Sequence, residues 1–410
     1  MTEAVRIGCI GVAGYAGNLL LGLHQSVGPE RARIAAVDVS RSTPSDALAE
    51  VLDAHQARRV QGVNELLGSD DLDAVIVATS IDSHLAYTTQ ALEAGLAVHC
   101  EKPITATIQD AMRMIEARDR CDGCVHVGYQ DTYSPSVQWA KRQLVDGAIG
   151  RIERVTVRGQ WPRPGSYYRR NDWAGRIRRD TGAWILDSPA HNALAHQVNL
   201  ALYLSGQAAD DSNRATAVEA ELYRAREIEN YDTCAIRAAT AAGCDLLVLL
   251  SHASADYIDP VVELTGSDGV MRRFHPDRCE LWRDGELLET MRDGPVKARH
   301  AMFESLVDRV NGAIARARCE IENAMEVTRL INGASAATPV RRVDPSHVKR
   351  LPTGKAEDDA VAAIDALSEV FERCRERFAL PSELGDVAWA SKPGKLDMSG
   401  FDQFDGPAEA

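Results

Sequence analysis

The chain has 410 residues, of which 45% are hydrophobic and 26% are charged, and its formal net charge at pH 7 is −14. Such a composition is typical of a soluble globular enzyme of two or three domains, and the acidic balance argues against a nucleic-acid-binding protein, which should carry a basic face. No apolar run approaches the roughly 18 residues of a membrane helix, so we expect a cytoplasmic protein that meets neither nucleic acid nor membrane.

Residues 1–128 alternate short apolar strands with helical patterns. This alternation predicts an α/β fold with a doubly wound parallel sheet, the Rossmann arrangement that binds dinucleotides. The predicted strands are Val5–Ile10, Ile34–Val39, Asp73–Ala78, Ala97–Cys100 and Cys124–Val127, and the predicted helices are Gly14–Val27, Ser45–Arg58, Leu85–Ala94 and Ile108–Arg118.

The pattern changes in residues 129–345, where longer strands, several of them alternating, predict an α+β domain with an open, mostly antiparallel sheet. The elements predicted there are a helix over Ser136–Val145, strands over Ile152–Trp161, Ala215–Arg224, Thr233–Ala239, Leu246–Ser251 and Val261–Thr265, and helices over His300–Val310 and Ile321–Ala334. In residues 346–410, apolar residues at helical spacing predict a helix over Ala356–Phe378 that packs on the body. The polar tail after Ser391 is expected to be loosely ordered.

A small-residue turn, Gly8-Cys-Ile-Gly11-Val-Ala13-Gly14-Tyr15-Ala16-Gly17, lies between the first strand and the first helix. Small residues let the backbone approach a pyrophosphate, which the free N–H groups of the helix N-terminus attract. Ala13 and Ala16 occupy glycine positions of the strict G-x-G-x-x-G motif, so the glycine pattern of the motif is incomplete. The residues predicted to contact a dinucleotide here are Gly11, Ala13, Gly14, Tyr15 and Ala16.

Asp38 ends the second predicted strand, 21 residues after Gly17, where an acidic side chain holds the adenosine ribose hydroxyls. A carboxylate repels a 2′-phosphate, which favours NAD. Ser40 and Arg41 follow directly and would instead suit the phosphate of NADP. We predict NAD as the cofactor, with NADP as the alternative and Arg41 as a cofactor contact.

The stretch Asp73–Thr79, then His84, then Ala91–Pro103 with Glu101-Lys102-Pro103 at its end resembles the glucose–fructose oxidoreductase/inositol dehydrogenase (Gfo/Idh/MocA) family. The resemblance is close over Val5–Gly206 and looser to about Trp389. It implies an NAD(P)-dependent sugar or cyclitol dehydrogenase whose second domain, an open antiparallel sheet, carries the substrate residues. Cofactor contacts are thereby expected at Thr79, Ser80, His84, Glu101 and Lys102.

The family's lysine falls on Lys102. Oxidation of a secondary alcohol by hydride loss requires removal of the hydroxyl proton, and a nearby ammonium stabilises the developing alkoxide. The resemblance therefore implies a catalytic role for Lys102.

The proton acceptor is a histidine for which two registers fit the family's Asp-x-x-x-His pattern. Counting from Gly182 selects Asp187 and His191, whereas counting back from the helix end selects Asn192 and His196. Pro189 belongs in a first helical turn, which would place Asn192 and His196 inside the helix. We predict His196 as the general base with Asn192 beside it, and Asp187 and His191 as substrate contacts or the alternative pair.

The segment from Trp161 to Arg179 combines aromatic rings with six arginines in an acidic chain. Aromatic faces stack on sugar rings, and arginine binds hydroxyls or anions. The residues predicted to contact substrate are Trp161, Arg163, Tyr168, Arg169 and Trp173. The same arginines would also suit a solvated loop or a subunit contact, and that alternative stays open.

These observations predict an oxidoreductase that moves a hydride between a nicotinamide cofactor and a ring hydroxyl or ketone of a sugar, sugar acid or cyclitol. The alternatives are a catalytically silent sugar or nucleotide sensor on the same fold and a reductase of imine- or bilin-type substrates. No metal site is expected, because the lone CxxC of Cys121 and Cys124 lacks a second ligand pair. The resemblance also implies a homodimer or homotetramer.

Overall fold

A six-stranded parallel sheet forms from the N-terminal part of the chain in the computed structural model, which describes residues 3–294, 297–354 and 359–409. Its elements are β1 Val5–Ile10, α1 Tyr15–Val27, β2 Ala32–Asp38, α2 Asp46–Ala54, β3 Arg58–Val60, α3 Val63–Leu67, β4 Ala74–Val77, α4 His84–Glu93, β5 Ala97–Cys100, α5 Ile108–Arg120 and β6 Val125–Val127. The strand order is β3-β2-β1-β4-β5-β6, so the order reverses between β1 and β4, where this fold places its ligand. The predicted Rossmann sheet is confirmed.

The second sheet has ten strands in the described residues and is mostly antiparallel, as predicted. The elements after β6 are α6 Pro135–Val145, β7 Ile152–Gln160, α7 Gly165–Tyr168, α8 Ala195–Leu204, β8 Ala215–Arg224, β9 Thr233–Thr240, β10 Asp245–Ser251, β11 Ile258–Gly266, β12 Val270–Phe274, β13 Arg278–Arg283, β14 Glu286–Arg292, α9 Ala298–Val310, α10 Ile321–Ala337, β15 Val340–Arg342, β16 Val348–Pro352, β17 Ala360–Ile364, α11 Leu367–Arg377 and β18 Gly394–Asp397. The sheet order is β14-β13-β12-β11-β7-β10-β9-β8-β15, with β18 also paired to β8. None of the helices in the described ranges is both long enough and apolar enough to cross a membrane.

The chain divides into two compact units that are not continuous in sequence. The first comprises the described residues of Met1–Thr105, Gln109–Pro135 and Asp293–Met325, and the second those of Ala106–Ile108, Ser136–Arg292 and Glu326–Ala410. The continuous boundaries 1–128, 129–345 and 346–410 differ from these units. One reason is α9, which buries Phe303 and packs against α1 beside Gly22. A Cβ at Gly22 would lie 3.1 Å from Cδ of Arg299, so the glycine permits this close approach.

The predicted helix over Ala356–Phe378 is wrong at its N-terminal end. The strand β17 pairs antiparallel with β16 from Ala360 to Ile364, and α11 begins only at Leu367. Ala366, with φ 53°, separates the strand from the helix. Residues 356–358 of the prediction lie outside the described residues.

The tail after Ser391 is folded rather than loose. The strand β18 pairs with β8, and the side chains of Met398 and Phe404 are 3% and 1% exposed. Phe404 packs edge-on against Trp184, with ring centroids 5.1 Å apart. A few apolar side chains in a polar segment are therefore enough to fix it to the second unit.

Lys141 on α6 is a buried cation that holds the end of α8. Its Nζ donates to the carbonyl oxygens of Tyr203, Gly206 and Asp211 at 2.5, 2.8 and 3.2 Å, and burial lowers its pKa to about 8. The last carbonyls of a helix lack intrahelical donors and interact favourably with a cation. Lys141 therefore supplies the hydrogen bonds that water would otherwise donate to these carbonyl oxygens.

We expect Lys141→Met to lower the free energy of unfolding by about 3 kcal/mol, because buried carbonyl oxygens lose charge-assisted hydrogen bonds. Urea denaturation followed by circular dichroism measures the loss. The matched control is Lys349→Met, which removes an exposed lysine whose surface ion pair with Asp365 should contribute at most about 1 kcal/mol. Equal losses in the two variants would contradict the role given to Lys141.

Candidate functional site

The dinucleotide turn has the geometry that its sequence predicts. Gly11 and Gly14 have φ values of 95° and 58°, which disfavour a side chain, and Gly14 precedes α1 without any side-chain cap on the helix. A Cβ at Gly17 would lie 2.8 Å from the carbonyl oxygen of Val12, so only glycine fits there. Ala13 and Tyr15 are exposed, whereas Ala16 is buried. The first N–H groups of α1 are thus left for an anion.

Asp38 is the last residue of β2, and its carboxylate is held in place. The residue is 4% exposed, and its Oδ1 accepts a hydrogen bond from the backbone N–H of Ser40 at 2.9 Å. Arg41, the alternative phosphate contact, is exposed. A fixed carboxylate at the end of the second strand suits the ribose diol of NAD.

The loop after β4 contains Thr79, Ser80 and His84. The hydroxyls of Thr79 and Ser83 lie 2.7 Å apart, and Ser83 donates to the carbonyl oxygen of Ser80. The ring nitrogens of His84 lie 3.2 Å from the carbonyl oxygen of Thr79 and 3.0 Å from that of Pro103. His84 is 1% exposed, burial lowers its pKa, and its ring lies between the loops that contain Thr79 and Pro103.

Glu101 is a buried carboxylate that fixes the backbone of the following lysine. Its Oε2 accepts from the backbone N–H of Lys102 at 3.1 Å, and its Oε1 lies 3.5 Å from Nε2 of His99. Burial opposes ionisation, but the contact with His99 and the charge of Lys102 hold the pKa of Glu101 below its usual value. Lys102 itself is only partly buried, and its peptide bond to Pro103 is cis. The arrangement presents an ammonium at the carboxyl end of β5.

His99 and His126 extend this buried network, which the sequence did not reveal. Their Nδ1 atoms lie 2.9 Å apart, one donating and the other accepting, and burial holds the pKa of His126 well below its usual value. Gly128 leaves room for Glu101, since a Cβ there would lie 2.5 Å from Oε1 of that residue. Parallel register of β5 with β6 brings these residues together, and no local pattern signals such a pairing.

The predicted placement of Pro189 in the first turn of a helix is wrong. The helix α8 begins at Ala195, and a separate turn precedes it in which the carbonyl oxygen of Ser188 accepts from the N–H groups of His191 and Asn192. The hydroxyl of Ser188 also accepts from the N–H of His191 at 3.2 Å, and such side-chain bonding to the backbone competes with the helix. Asn192 therefore lies outside the helix and His196 in its first turn.

Asp187 and Asn192, which belong to the two alternative alignments with the Asp-x-x-x-His pattern, form a hydrogen bond with each other. Oδ1 of Asp187 accepts from Nδ2 of Asn192 at 2.7 Å, and Oδ2 accepts from the N–H of Gly175 at 2.6 Å. His191 is 0% exposed with Nδ1 3.3 Å from the carbonyl oxygen of Leu186. His196 is partly exposed. Of the two histidines, His196 is the more exposed.

Aromatic rings and arginines cluster after β7. The rings of Trp161 and Tyr257 stack with centroids 6.3 Å apart, and the guanidinium of Arg163 lies 4.9 Å from the centroid of Tyr167. The guanidinium of Arg170 lies 3.7 Å from the same Tyr167 ring and 5.2 Å from that of Trp173. Tyr257, 66% exposed, was missed because it is distant in sequence. One exposed ring and three partly buried rings beside guanidinium groups suit a polyol.

The remaining arginines of the loop mostly have local partners. Arg176 pairs with Asp180 at 2.5 Å, Arg179 pairs with Asp172 at 2.6 Å, and the guanidinium of Arg178 lies 3.4 Å from the ring centroid of Trp184. These contacts account for three of the six arginines without any ligand.

Tyr168 packs edge-on against Tyr167 of the aromatic cluster, with ring centroids 5.2 Å apart, and Arg169 follows it in sequence. They line a separate cavity of about 510 Å³ within the second unit, together with the turn after β8 and the strands β15 to β17. Tyr168 therefore contacts both the aromatic cluster and this cavity.

Comparison with known proteins gives two family matches. Residues 5–129 match the model of the oxidoreductase family with an NAD-binding Rossmann fold, and residues 137–272 match that of the GFO/IDH/MocA C-terminal domain. Together the two models cover more than half of the chain.

Individual relatives are similar at modest identity. The inositol 2-dehydrogenase of Rhizobium meliloti is 25% identical over 271 residues, which are 65% of this chain and 74% of the relative. That of Acidothermus cellulolyticus is 32% identical over 161 residues, 36% of this chain and only 42% of the relative. The WlbA dehydrogenase from Bordetella pertussis, solved with NADH and UDP-GlcNAcA, shares the fold with a TM-score of 0.66 and 21% identity, covering 81% of this chain and 95% of that one.

Proposed function

The chain belongs to the Gfo/Idh/MocA oxidoreductase family, and we propose that it transfers a hydride between NAD(H) and a ring hydroxyl or ketone of a sugar, sugar acid or cyclitol. The observation that carries this proposal is the presence, in one unit, of the dinucleotide turn and of Lys102 at the end of β5. The relatives named inositol 2-dehydrogenase support a polyol as the substrate class.

The residues of the first unit fit NAD. Gly17 leaves no room for a side chain where the pyrophosphate approaches, α1 begins without a side-chain cap, and Asp38 offers a fixed carboxylate. When bound, NAD⁺ would supply the acceptor for a hydride from the alcohol carbon. The protein has to position the nicotinamide ring, exclude water and manage the hydroxyl proton.

The roles proposed for Lys102, in the first unit, and for His196, in the second, rest on the sequence resemblance. The ammonium of Lys102 stabilises the substrate oxygen as its charge develops, and Glu101 keeps the backbone of the lysine in place. His196 takes the hydroxyl proton as general base, since it is the more accessible histidine of its segment. The side chains of Asp187 and Asn192, bonded to each other, hold the turn before α8.

The carboxylate of Asp38 should set the choice of nucleotide. We expect the wild type to bind NAD⁺ at least about tenfold more tightly than NADP⁺, and Asp38→Ala to remove most of that ratio, because charge-assisted contacts contribute about 1.5–3 kcal/mol. Calorimetric titration with NAD⁺ and with NADP⁺ measures the ratio. A preference for NADP⁺ that Arg41→Ala abolishes would contradict the assignment of NAD.

The substrate class is tested by the rate of NAD⁺ reduction with a panel of neutral sugars, uronates, inositols and acyclic alcohols of similar size. We expect turnover with at least one ring polyol and none with acyclic alcohols of the same size. Binding of NADH without turnover on any member in either direction would overturn the proposal and favour a sensor.

A further inference from the structure

Four arginines line the 510 Å³ cavity of the second unit: Arg169, Arg226, Arg342 and Arg350. They come from three places in the sequence, namely the end of α7, the turn between β8 and β9, and the strands β15 and β16. The last of these places lies beyond residue 272, where the match to the family's C-terminal domain ends. The cavity is therefore built partly by residues outside the shared domain.

The charges lining this cavity are not balanced. Among the lining residues that the structure describes, Glu227 is the one carboxylate, and it pairs with Arg342. Asp359 approaches Arg169 to 3.7 Å, but its oxygens already accept from the N–H and hydroxyl of Ser166 at 2.7 and 2.9 Å. Asp232 also lies close enough to Arg226 to raise its pKa. Among the described residues, four guanidinium groups thus meet three carboxylates, in a chain whose net charge is −14.

Arg226 and Arg350 have no carboxylate within ion-pair distance among residues 3–294, 297–354 and 359–409. Arg226 donates instead to the carbonyl oxygens of Arg163 and Ala360, which fix its guanidinium in the wall. Burial lowers the pKa of Arg226, nearby Asp232 raises it, and the positive charge of Arg350 lowers it again. Two guanidiniums that repel each other across a cavity would be stabilised by an anion.

We propose that this cavity binds the phosphate or carboxylate group of a small molecule of sugar size. Guanidinium groups bind these planar or tetrahedral oxyanions through paired N–H donors, and the volume is within the range of small-molecule sites. The inference is independent of the hydride-transfer proposal, because binding is measured without nicotinamide.

The test titrates the purified full chain with inorganic phosphate, glucose 6-phosphate, glucuronate and glucose by calorimetry. We expect glucose 6-phosphate or glucuronate to bind and glucose not to bind. The phosphate and uronate arms distinguish an ester from a carboxylate. The variant Arg350→Gln should weaken binding about tenfold or more, since it removes a charge-assisted contact.

The matched control is Arg341→Gln, which removes an exposed arginine from the neighbouring strand β15 that does not line the cavity. It should bind as the wild type does. Absence of binding by both acidic sugars, wild-type affinity in Arg350→Gln, or an equal loss in Arg341→Gln would each overturn the proposal. Thermal denaturation of both variants verifies that they are folded.

Discussion

Replacing Lys102 by alanine is expected to lower kcat about a hundredfold or more, the usual scale for a positioned acid–base group. The ammonium stabilises the alkoxide only as the hydroxyl loses its proton. Removal of the ammonium therefore raises the activation free energy rather than weakening the binding of substrate in the ground state. Steady-state kinetics with the best substrate of the panel measures the effect, and a titration with NADH verifies that the variant still binds cofactor.

Two further variants test whether the loss of kcat depends on the position and the chemistry of Lys102. Lys297→Ala removes an exposed lysine of the same unit, at the start of α9, and should leave kcat unchanged. Lys102→Arg keeps the charge but spreads it over a planar group, and should recover only part of the rate. A fall in kcat of less than about fivefold in Lys102→Ala would contradict the catalytic assignment.

His196→Ala is expected to lower kcat by a similar factor, about a hundredfold, while leaving the affinity for NADH nearly unchanged. The general base must reach the substrate hydroxyl, and His196 is partly exposed at the start of α8. The loss should therefore appear in the chemical step.

His191→Ala is the comparison that decides between the two registers. His191 is completely buried, so we expect this variant to lose stability while the folded fraction keeps most of its kcat. Dividing activity by the folded fraction, measured by circular dichroism, separates the two effects. A large loss of kcat in folded His191→Ala, together with a small loss in His196→Ala, would show that Asp187 and His191 are the catalytic pair.

The parallel sheet was predictable because each of its main strands is a short apolar run bounded by turn signals. Val5–Ile10 and Ala97–Cys100 coincide with the predicted bounds, whereas β3 was missed. Its sequence, Arg58-Arg-Val60, carries two exposed arginines and becomes a strand only through pairing with β2 at the edge of the sheet.

The C-terminal part was harder to predict because its pairing partners are distant in sequence. Ala360–Ile364 continues the helical spacing of α11, yet it forms a strand because β16 supplies a partner. The strand β14 is almost wholly exposed and shows no alternation that would reveal it. In both cases tertiary context overrides the local pattern.

The candidate site likewise contains features that the sequence predicts and features that depend on contacts between distant residues. The glycine turn and Asp38 follow from sequence spacing, because a strand and the helix after it fix their geometry. Lys102 was identified through the family resemblance of its Glu-Lys-Pro segment. The bond between Asp187 and Asn192 and the stacking of Tyr257 on Trp161 do not follow from sequence spacing, since they depend on turns and on a strand nearly a hundred residues away.

The most direct test of hydride transfer follows a deuterium from substrate to cofactor. The enzyme is supplied with NAD⁺ and with the polyol that it oxidises best, deuterated at its ring carbons, and the reduced nucleotide is analysed by mass spectrometry and NMR. The account predicts that the nicotinamide ring carries the deuterium and that Lys102→Ala suppresses its formation. Reduced nucleotide without deuterium, or no reduction of NAD⁺ or NADP⁺ by any ring polyol, would contradict it.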